Sequence, residues 1–455
     1  MKRISCLLVA NRSEIAVRII RACQDLGIRT ILAASEADRE SLPAKMADRV
    51  VCIGPASATE SYLKVGTLIM AAIGTGAEAI HPGYGFLAEQ PELPEACAQH
   101  GLIFVGPKAE QVRQMGDKIF ARQMAKNLGV PVIPGSELVQ DPGEAISTAE
   151  KLGYPVLLKA AAGGGGRGMK IARQPEDMKI IFAEASAEAH AAFGDSRLYM
   201  ERFIPNARHI EIQIMGDRHG NIVHLGERDC SLQRRYQKMV EEAPSPVLSS
   251  DLRAAIVEAA LALAHQIQYE NAGTVEFILD QDEKKFYFLE MNTRIQVEHP
   301  VTEMITGRDL VKEQILIASG RPLSFSQEDV NLNGHSIECR INAESPQQGF
   351  RPCPGRIDQW QSPQGPGVRL DSHCFPGYFV PPYYDSLLAK LITWGQSRRQ
   401  AVERMQKALE DFIVSGVDTT IPFHGFLLRN PDFIQGAIHT HWIEDTLLKE
   451  YEQHA

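Results

Sequence analysis

The chain lacks an excess of positive charge, a paired-cysteine signature and any long apolar run. Its 47 lysines and arginines stand against 57 aspartates and glutamates, a net charge of −10, which disfavours an electrostatic hold on nucleic acid or an anionic membrane. No nucleic-acid or membrane partner is therefore expected, and small anions must be held by local groups of residues. The eight cysteines, at 6, 23, 52, 97, 230, 339, 353 and 374, include no C-x-x-C pair. They read as reduced thiols of a cytoplasmic protein rather than as a disulfide frame or a zinc site. No stretch of about eighteen consecutive apolar residues occurs, so no bilayer span is expected. The N-terminal run "ISCLLVA" is followed at once by Arg12, Glu14 and Arg18, and reads as a first buried strand, not a signal peptide.

What the sequence does contain is glycine in one conspicuous place. "LLKAAAGGGGRGM", Leu157 to Met169, carries Lys159 and four consecutive glycines. Each glycine loses more backbone freedom on folding than any other residue. Such a run suits a loop whose bare N–H groups turn inward around an anion, with a nearby lysine supplying charge. The spacing matches neither G-x-x-x-x-G-K-[ST] nor G-x-G-x-x-G, so a flexible surface hairpin is an equal alternative on this segment alone.

The 455 residues allow roughly three domains. From 1 to 113, short apolar runs such as "CLLVA", "TILAAS" and "LIFVGP" alternate with helical patterns such as "SEIAVRIIRACQDLG", which predicts a doubly wound parallel sheet of the α/β class. A helix over "DKIFARQMAKNLG" ends at Gly129 and opens a second region, 114–334, containing a small unit at about 131–204 that carries the glycine loop. The last region, 335–455, is β-rich at its start, which makes the whole α/β with an α+β part.

The most informative segment is Gly273 to Glu298, "GTVEFILDQDEKKFYFLEMNTRIQVE", where two β-rich runs flank a polar turn. With the turn centred near Glu283, Glu276 and Glu290 fall opposite each other. Paired carboxylates repel unless a cation sits between them, and oxygen-only ligands point to magnesium or manganese. A period of two along the second strand places Glu290, Asn292, Arg294, Gln296 and Glu298 on one face. Asn292 would extend the metal site, Arg294 could hold a small oxyanion, and Glu298 could act as a base.

"HPGYGFLAE" (81–89), "MGDK" (115–118), the glycine loop, "ERDCSLQRRYQKMVEEAP" (227–244), "EMNTRIQVEHPVTEMITG" (290–307) and "ECRINAE" (338–344) together resemble the biotin carboxylases, ATP-grasp enzymes of the biotin-dependent carboxylase system. The resemblance implies an N-terminal Rossmann-like domain, an ATP-grasp domain with a lid, and a C-terminal domain. Lys118 and Lys159 then match phosphate-contacting lysines, with Gly165 and Gly166 in the lid. Glu201, Phe203 and Ile204 sit where the family holds adenine, and His209, Tyr236, Glu276 and Glu290 are further ATP-binding positions. Glu276, Glu290 and Asn292 would hold two magnesium or manganese ions. Bicarbonate would lie against Lys238, Arg294, Gln296 and the backbone of Val297, with Glu298 as base and Arg340 stabilising a biotin enolate. Tyr84, Gly85, Gln233 and Arg340 match the biotin end.

Three positions depart from the family pattern. Tyr236 stands where histidine is common, Ser13 replaces the glycine of "NRGEIA", and Ala161-Ala162 replaces Ser-Gly. Tyr236 bears on the affinity for free biotin. The Ala-Met-Lys-Met signature of a biotinylated carrier is absent from "AKMA" (44–47) and "QKMV" (237–240). The resemblance thus implies a biotin carboxyl carrier protein and a carboxyltransferase acting in trans, as in acetyl-CoA carboxylase, and a homodimer. Two other readings are another ATP-grasp ligase that forms an acyl phosphate, and a non-catalytic nucleotide-binding subunit.

Overall fold

The computed structural model describes residues 4–161 and 169–454. Its N-terminal sheet is built from β1 (Cys6–Val9), β2 (Arg29–Ala34), β3 (Arg49–Cys52), β4 (Ala79–His81) and β5 (Ile103–Phe104), all parallel in the order β3-β2-β1-β4-β5. Helices such as Ser13–Asp25 and Val65–Thr75 link the strands, giving the alternating α/β pattern that the apolar runs predict. The chain order reverses between β1 and β4, and a crevice at such a switch point, beyond the carboxyl ends of the strands, is where open parallel sheets place ligands. The segments leaving these strands are "NRSE" and "HPGYG". Asn11 ties them together, its amide donating to the carbonyls of Pro82 (2.6 Å) and Tyr84 (2.7 Å).

Ser13 adopts a left-handed backbone, φ 63°, which costs a residue bearing a Cβ about 1–2 kcal/mol. The reason for the family's glycine is therefore visible. The serine offsets part of that cost by a buried hydrogen bond between its hydroxyl and His373 Nδ1, 2.9 Å away.

A four-stranded antiparallel sheet follows, made of β6 (Gly135–Val139), β7 (Val156–Ala160), β8 (Lys170–Ala172) and β9 (Leu198–Arg202), in the order β6-β9-β7-β8. The glycines 163–166 lie between β7 and β8 in sequence, so Gly165 and Gly166 fall outside the described residues.

The largest sheet has eight strands. Six are β10 (Ala207–Gly216), β11 (Ile222–Arg234), β12 (Gln237–Ala243), β13 (Asn271–Asp280), β14 (Lys285–Asn292) and β15 (His335–Asn342), joined by Val368–Ser372 and Leu387–Gly395. The spatial order is β14-β13-β10-β11-β12-β15, then 387–395, then 368–372. Because β12 pairs with β15, the sheet runs unbroken across residue 334. Ile210, Ile212 and Ile214 of β10 point to one side and pack with Val275, Phe277 and the helix Ser250–Gln266, each contributing roughly 1.5–3 kcal/mol of burial. The residues between them, His209, Glu211 and Gln213, are also buried but are polar. Alternation with period two has thus given the sheet an apolar side and a charged one.

Among the described residues no helix is long and apolar enough to cross a membrane. All eight cysteines are free; Cys52 is exposed, Cys353 half-buried and the other six buried.

Candidate active site

The charged side of the large sheet carries three carboxylates in a row. Glu211 on β10 pairs with Glu276 on β13, which pairs with Glu290 on β14. The expected opposition of Glu276 and Glu290 is therefore present. It survives a β-bulge between Glu276 and Phe277 that shifts the register nearer the turn and sets Phe277 opposite Phe288. Glu211 is not among the residues expected from the sequence, although the alternating polar residues of "RHIEIQ" could have marked it.

Like charges in such a row destabilise the sheet, so cations must interleave. Lys238 on β12 does this, with Nζ 2.6 Å from Glu211, 3.0 Å from Glu276 and 2.6 Å from Glu298. Burial alone would lower the lysine's pKa, but these three carboxylates hold it well above the ordinary lysine range. His209 Nε2 lies 3.2 Å from Glu276, and Arg228, fully buried, donates to Glu211. Burial would raise the Glu276 carboxyl; Lys238 and His209 reverse this and hold it below the usual range.

The expected strand running to Glu298 stops short. β14 ends at Asn292, and residues 293–298 turn into the helix His299–Thr306, which has Pro300 in its first turn and Glu298 at its N-cap. The cause is distant in sequence: Glu89 accepts from the Thr293 N–H (3.2 Å) and from Arg294 Nε (2.8 Å), so the ladder partners are taken by the N-terminal region. The side chains converge nonetheless. Arg294 donates to Gln296 (2.7 Å) and to Asn292 Oδ1 (2.9 Å), and the Gln296 amide reaches Glu276 at 3.2 Å.

Glu298 is fully buried and sits between Lys238 and Arg340, the latter 2.8 Å away. Burial would raise its pKa, yet Lys238 first, then Arg340 and Arg228, hold it well below the usual carboxylate range. Cys230 Sγ lies 3.9 Å from the same carboxylate. Arg340 alternates with Ile337, Cys339 and Ile341 on β15, which pack on the opposite, apolar side, and its Nε donates to Glu241 at 2.6 Å. The Val297 carbonyl accepts from Lys390.

The remaining expected residues form two groups. Lys118 begins the helix Lys118–Asn127, capped by Asp117, and its Nζ is 3.5 Å from Glu290. Lys159 on β7 and Arg122 both engage the Glu201 carboxylate on β9. Ile204 is packed against Ile133, Ala207 and Tyr287. Phe203 lies 5.3 Å from the ring of His441, and Tyr236 meets the same ring edge-on at 5.9 Å. Phe203 and His441 line a cavity of about 410 Å³ with Ile171 and His439. Tyr236 is presented to the His441 ring by a two-residue turn between β11 and β12 in which Arg235 and Tyr236 both have positive φ, 49° and 62°. Two-residue hairpin turns of this kind normally use asparagine and glycine.

Of the expected biotin-end residues, Tyr84 and Gly85 (φ 70°) follow β4 at the switch point of the N-terminal sheet. The Tyr84 hydroxyl donates to Glu14. Gln233 stands opposite Lys238 across β11 and β12; its amide donates to the Cys230 carbonyl (2.9 Å) and lies 3.0 Å from His209 Nδ1.

A dication fits the row of carboxylates. Glu276, Glu290 and Asn292 offer only oxygen, as a hard ion requires, and the two opposed carboxylates are at present balanced by Lys238 and Lys118. Asn292 Oδ1 keeps a second lone pair beyond its bond to Arg294, while its Nδ2 is buried without a partner.

Comparison with known proteins agrees with this arrangement. Residues 3–112 match the biotin carboxylase N-terminal domain, 117–326 the carbamoyl-phosphate synthase L chain ATP-binding domain, and 338–445 the biotin carboxylase C-terminal domain. Biotin carboxylase 1 of Bacillus subtilis (strain 168) is 52% identical over 439 residues, covering 96% of this chain and 98% of that protein. The chloroplastic biotin carboxylase of Arabidopsis thaliana is 52% identical over 438 residues, 96% of this chain and 81% of that one. Among solved structures, the Campylobacter jejuni biotin carboxylase–βγ-ATP complex superposes with a TM-score of 0.95 at 46% identity, over 97% of this chain and 99% of that one. The biotin carboxylase domain dimer of Hydrogenobacter thermophilus 2-oxoglutarate carboxylase, bound to MgADP, ADP and bicarbonate, gives 0.94 at 48% identity, over 98% of each chain. With the three domain matches in order along the chain, and Glu276, Glu290, Lys238 and Arg340 of the large sheet gathered around Glu298, the chain belongs to the biotin carboxylase family of ATP-grasp ligases.

Proposed function

We propose that this chain carboxylates N1′ of biotin, consuming ATP and bicarbonate and releasing ADP and phosphate, with the residues of the charged face in the following roles. The observation that carries the reading is Glu298, a buried carboxylate held between two cations, Lys238 and Arg340, beside the row Glu211, Glu276, Glu290. Lys118 and Lys159 bind the nucleotide phosphates, and Phe203, His209 and Tyr236 line the nucleotide end. Glu276, Glu290 and Asn292 hold magnesium or manganese, which neutralises phosphate charge during transfer.

Bicarbonate lies against Lys238, Arg294, Gln296 and Val297. Its oxygen attacks the γ-phosphorus, the bond to the β-bridging oxygen breaks, and carboxyphosphate and ADP form, with the bicarbonate proton passing to Glu298. Carboxyphosphate then splits to CO2 and phosphate. The phosphate takes the N1′ proton, and Arg340 stabilises the enolate that attacks CO2. A carboxylate held below the usual range is a weak base. Glu298 gains basicity only as Lys238 turns to bicarbonate and Arg340 to biotin, because loss of cationic neighbours raises a carboxyl pKa. The base is thereby released when both ligands are in place.

The reading extends to organisation. Regions 1–113, 114–334 with a lid at about 131–204, and 335–455 would act as three domains. The biotin would arrive on a carrier protein outside these residues, since Lys45 and Lys238 lie in "AKMA" and "QKMV" and neither motif fits a biotinylation site. A carboxyltransferase in trans, homodimerisation and a cytoplasmic setting complete it.

The test is ADP release from MgATP with and without bicarbonate, each with and without biotin, for wild type, Glu298→Gln and Arg340→Ala. Turnover should need bicarbonate, rise with biotin and fall by about 10²–10³-fold in both variants. ATP hydrolysis indifferent to bicarbonate and biotin would sink the proposal.

A further inference from the structure

Lys390 is fully buried, on the strand Leu387–Gly395, and stands directly opposite Arg340 on β15. Its ammonium donates to the Val297 carbonyl at 2.9 Å and lies 3.1 Å from Glu14 Oε1. That same carboxylate oxygen accepts from the Tyr84 hydroxyl. One lysine from the C-terminal region therefore touches the turn that carries Glu298 and, through one carboxylate, the tyrosine beyond β4.

The other acids around Lys390 do not account for it. Asp371, 4.0 Å away, is already held by two bonds from Arg369, at 2.9 and 2.7 Å. Glu338 is buried with both oxygens unpartnered, and burial drives its carboxyl well above the usual range. What remains is Glu14, one peptide carbonyl and the Tyr84 ring, whose centroid lies 6.0 Å from the ammonium. A buried ion pair is weak support for a fold, since apolar residues of similar volume commonly serve as well. A lysine in place of a methionine gains direction: it fixes the plane of the peptide joining Val297 to Glu298. Val297 supplies backbone to bicarbonate and Glu298 the base, and the Cα atoms of both lie in that plane.

Building on the function proposed above, we infer that Lys390 is a positioning residue of the reaction, pinning the Val297–Glu298 peptide and, through Glu14, the Tyr84 hydroxyl, so that one buried cation aligns the bicarbonate and biotin ends. The hydrogen bond and close ion pair of Lys390 are made to Val297 and Glu14 alone among the described residues. Lys118 and Lys159, which do face the nucleotide end, share no contact with it among the described residues.

The test uses Lys390→Met and Lys390→Gln in the full chain, with initial rates of ADP release measured against bicarbonate, biotin and MgATP in turn. In Lys390→Met, kcat should fall about 10²-fold and KM for bicarbonate should rise about tenfold, as expected for a displacement of order 1 Å in a positioned group. KM for MgATP should stay within about twofold of wild type. Lys390→Gln keeps an uncharged donor to the carbonyl and should recover part of the loss. If the methionine variant does not fold, the glutamine variant decides alone: a rise of about threefold or more in KM for bicarbonate, at constant KM for MgATP, supports the role. Bicarbonate kinetics unchanged in a folded variant, or KM for MgATP rising in step with that for bicarbonate, overturns it. Wild-type turnover that needs no bicarbonate removes the proposed function itself, whereas a bicarbonate-dependent wild type with an unaltered Lys390→Met removes only this inference.

Discussion

Two lysines at opposite ends of the site, the half-buried Lys238 and the buried Lys159, face opposite electrostatic surroundings. Around Lys238, three carboxylates lie within 3.0 Å. Around Lys159, burial and the cations Lys118 and Arg122 all press toward the neutral amine, and its contact carboxylate, Glu201, is shared with Arg122. The sheet floor is thus charge-compensated before any substrate arrives. At the other end, Lys118, Lys159 and Arg122 share the two carboxylates Glu201 and Glu290, so its cations are less fully compensated than Lys238. On the function proposed above, the difference corresponds to two strategies within one site: a preorganised bed for the reacting groups and a less compensated cationic pocket for polyphosphate.

Removing the charge at each end should separate the two most sharply. Lys238→Met leaves Glu211, Glu276 and Glu298 without their common cation and should cost about 3–5 kcal/mol of stability, read by urea unfolding, together with bicarbonate-dependent turnover. Lys159→Met relieves an excess of like charge. Its melting temperature should hold while KM for MgATP rises about 10–100-fold, the equivalent of one charged hydrogen bond to phosphate. Equal destabilisation by the two substitutions would break the distinction between bed and pocket.

A smaller effect sharpens the account of the bed. Adjacent residues of β12, Glu241 and Glu242, face opposite sides of the sheet and are driven in opposite directions. Burial, aided by the charge of Glu298 and resisted by Arg340, pushes Glu241 up to about 7. Glu242 overcomes burial through His335 and Arg398 and is held at about 2. For Glu241 the folded chain binds the proton more tightly than the unfolded one, so its contribution is complete at low pH. It is lost as pH rises from about 4.3 towards 7, because stability falls wherever the native state binds more protons. For Glu242 the sign reverses, and stability is lost as pH falls below the unfolded value towards 2. The melting temperature of Glu241→Gln minus that of wild type should therefore grow more positive between pH 5 and pH 7 and level off above. A flat difference would show that Glu241 is ionised throughout.

Much of the site was legible because it obeys local periodicity. The hairpin, the opposition of Glu276 and Glu290, and the polar face of "SIECRINA" follow from a repeat of two and from the rule that like charges need a cation between them. The end of β14 was not legible, since it depends on Glu89, which is 204 positions from Thr293. Nor was Lys390, whose partner carbonyl lies 93 positions away and whose surroundings "SLLAKLITW" look like an ordinary strand with one lysine. Glu211 was legible in principle and missed. Ser13 could be recognised as a departure from the family, but its left-handed backbone and its bond to His373 needed the folded chain.

The thiol beside the base gives the molecule a built-in clock. Cys230 is fully buried, and burial with the nearby carboxylates drives its pKa far above that of a free thiol, so alkylation in the native state must wait for the bed to open. Its labelling rate under a pulse of reagent, resolved by mass from the exposed Cys52, would time the local opening of the catalytic floor in the absence and presence of nucleotide.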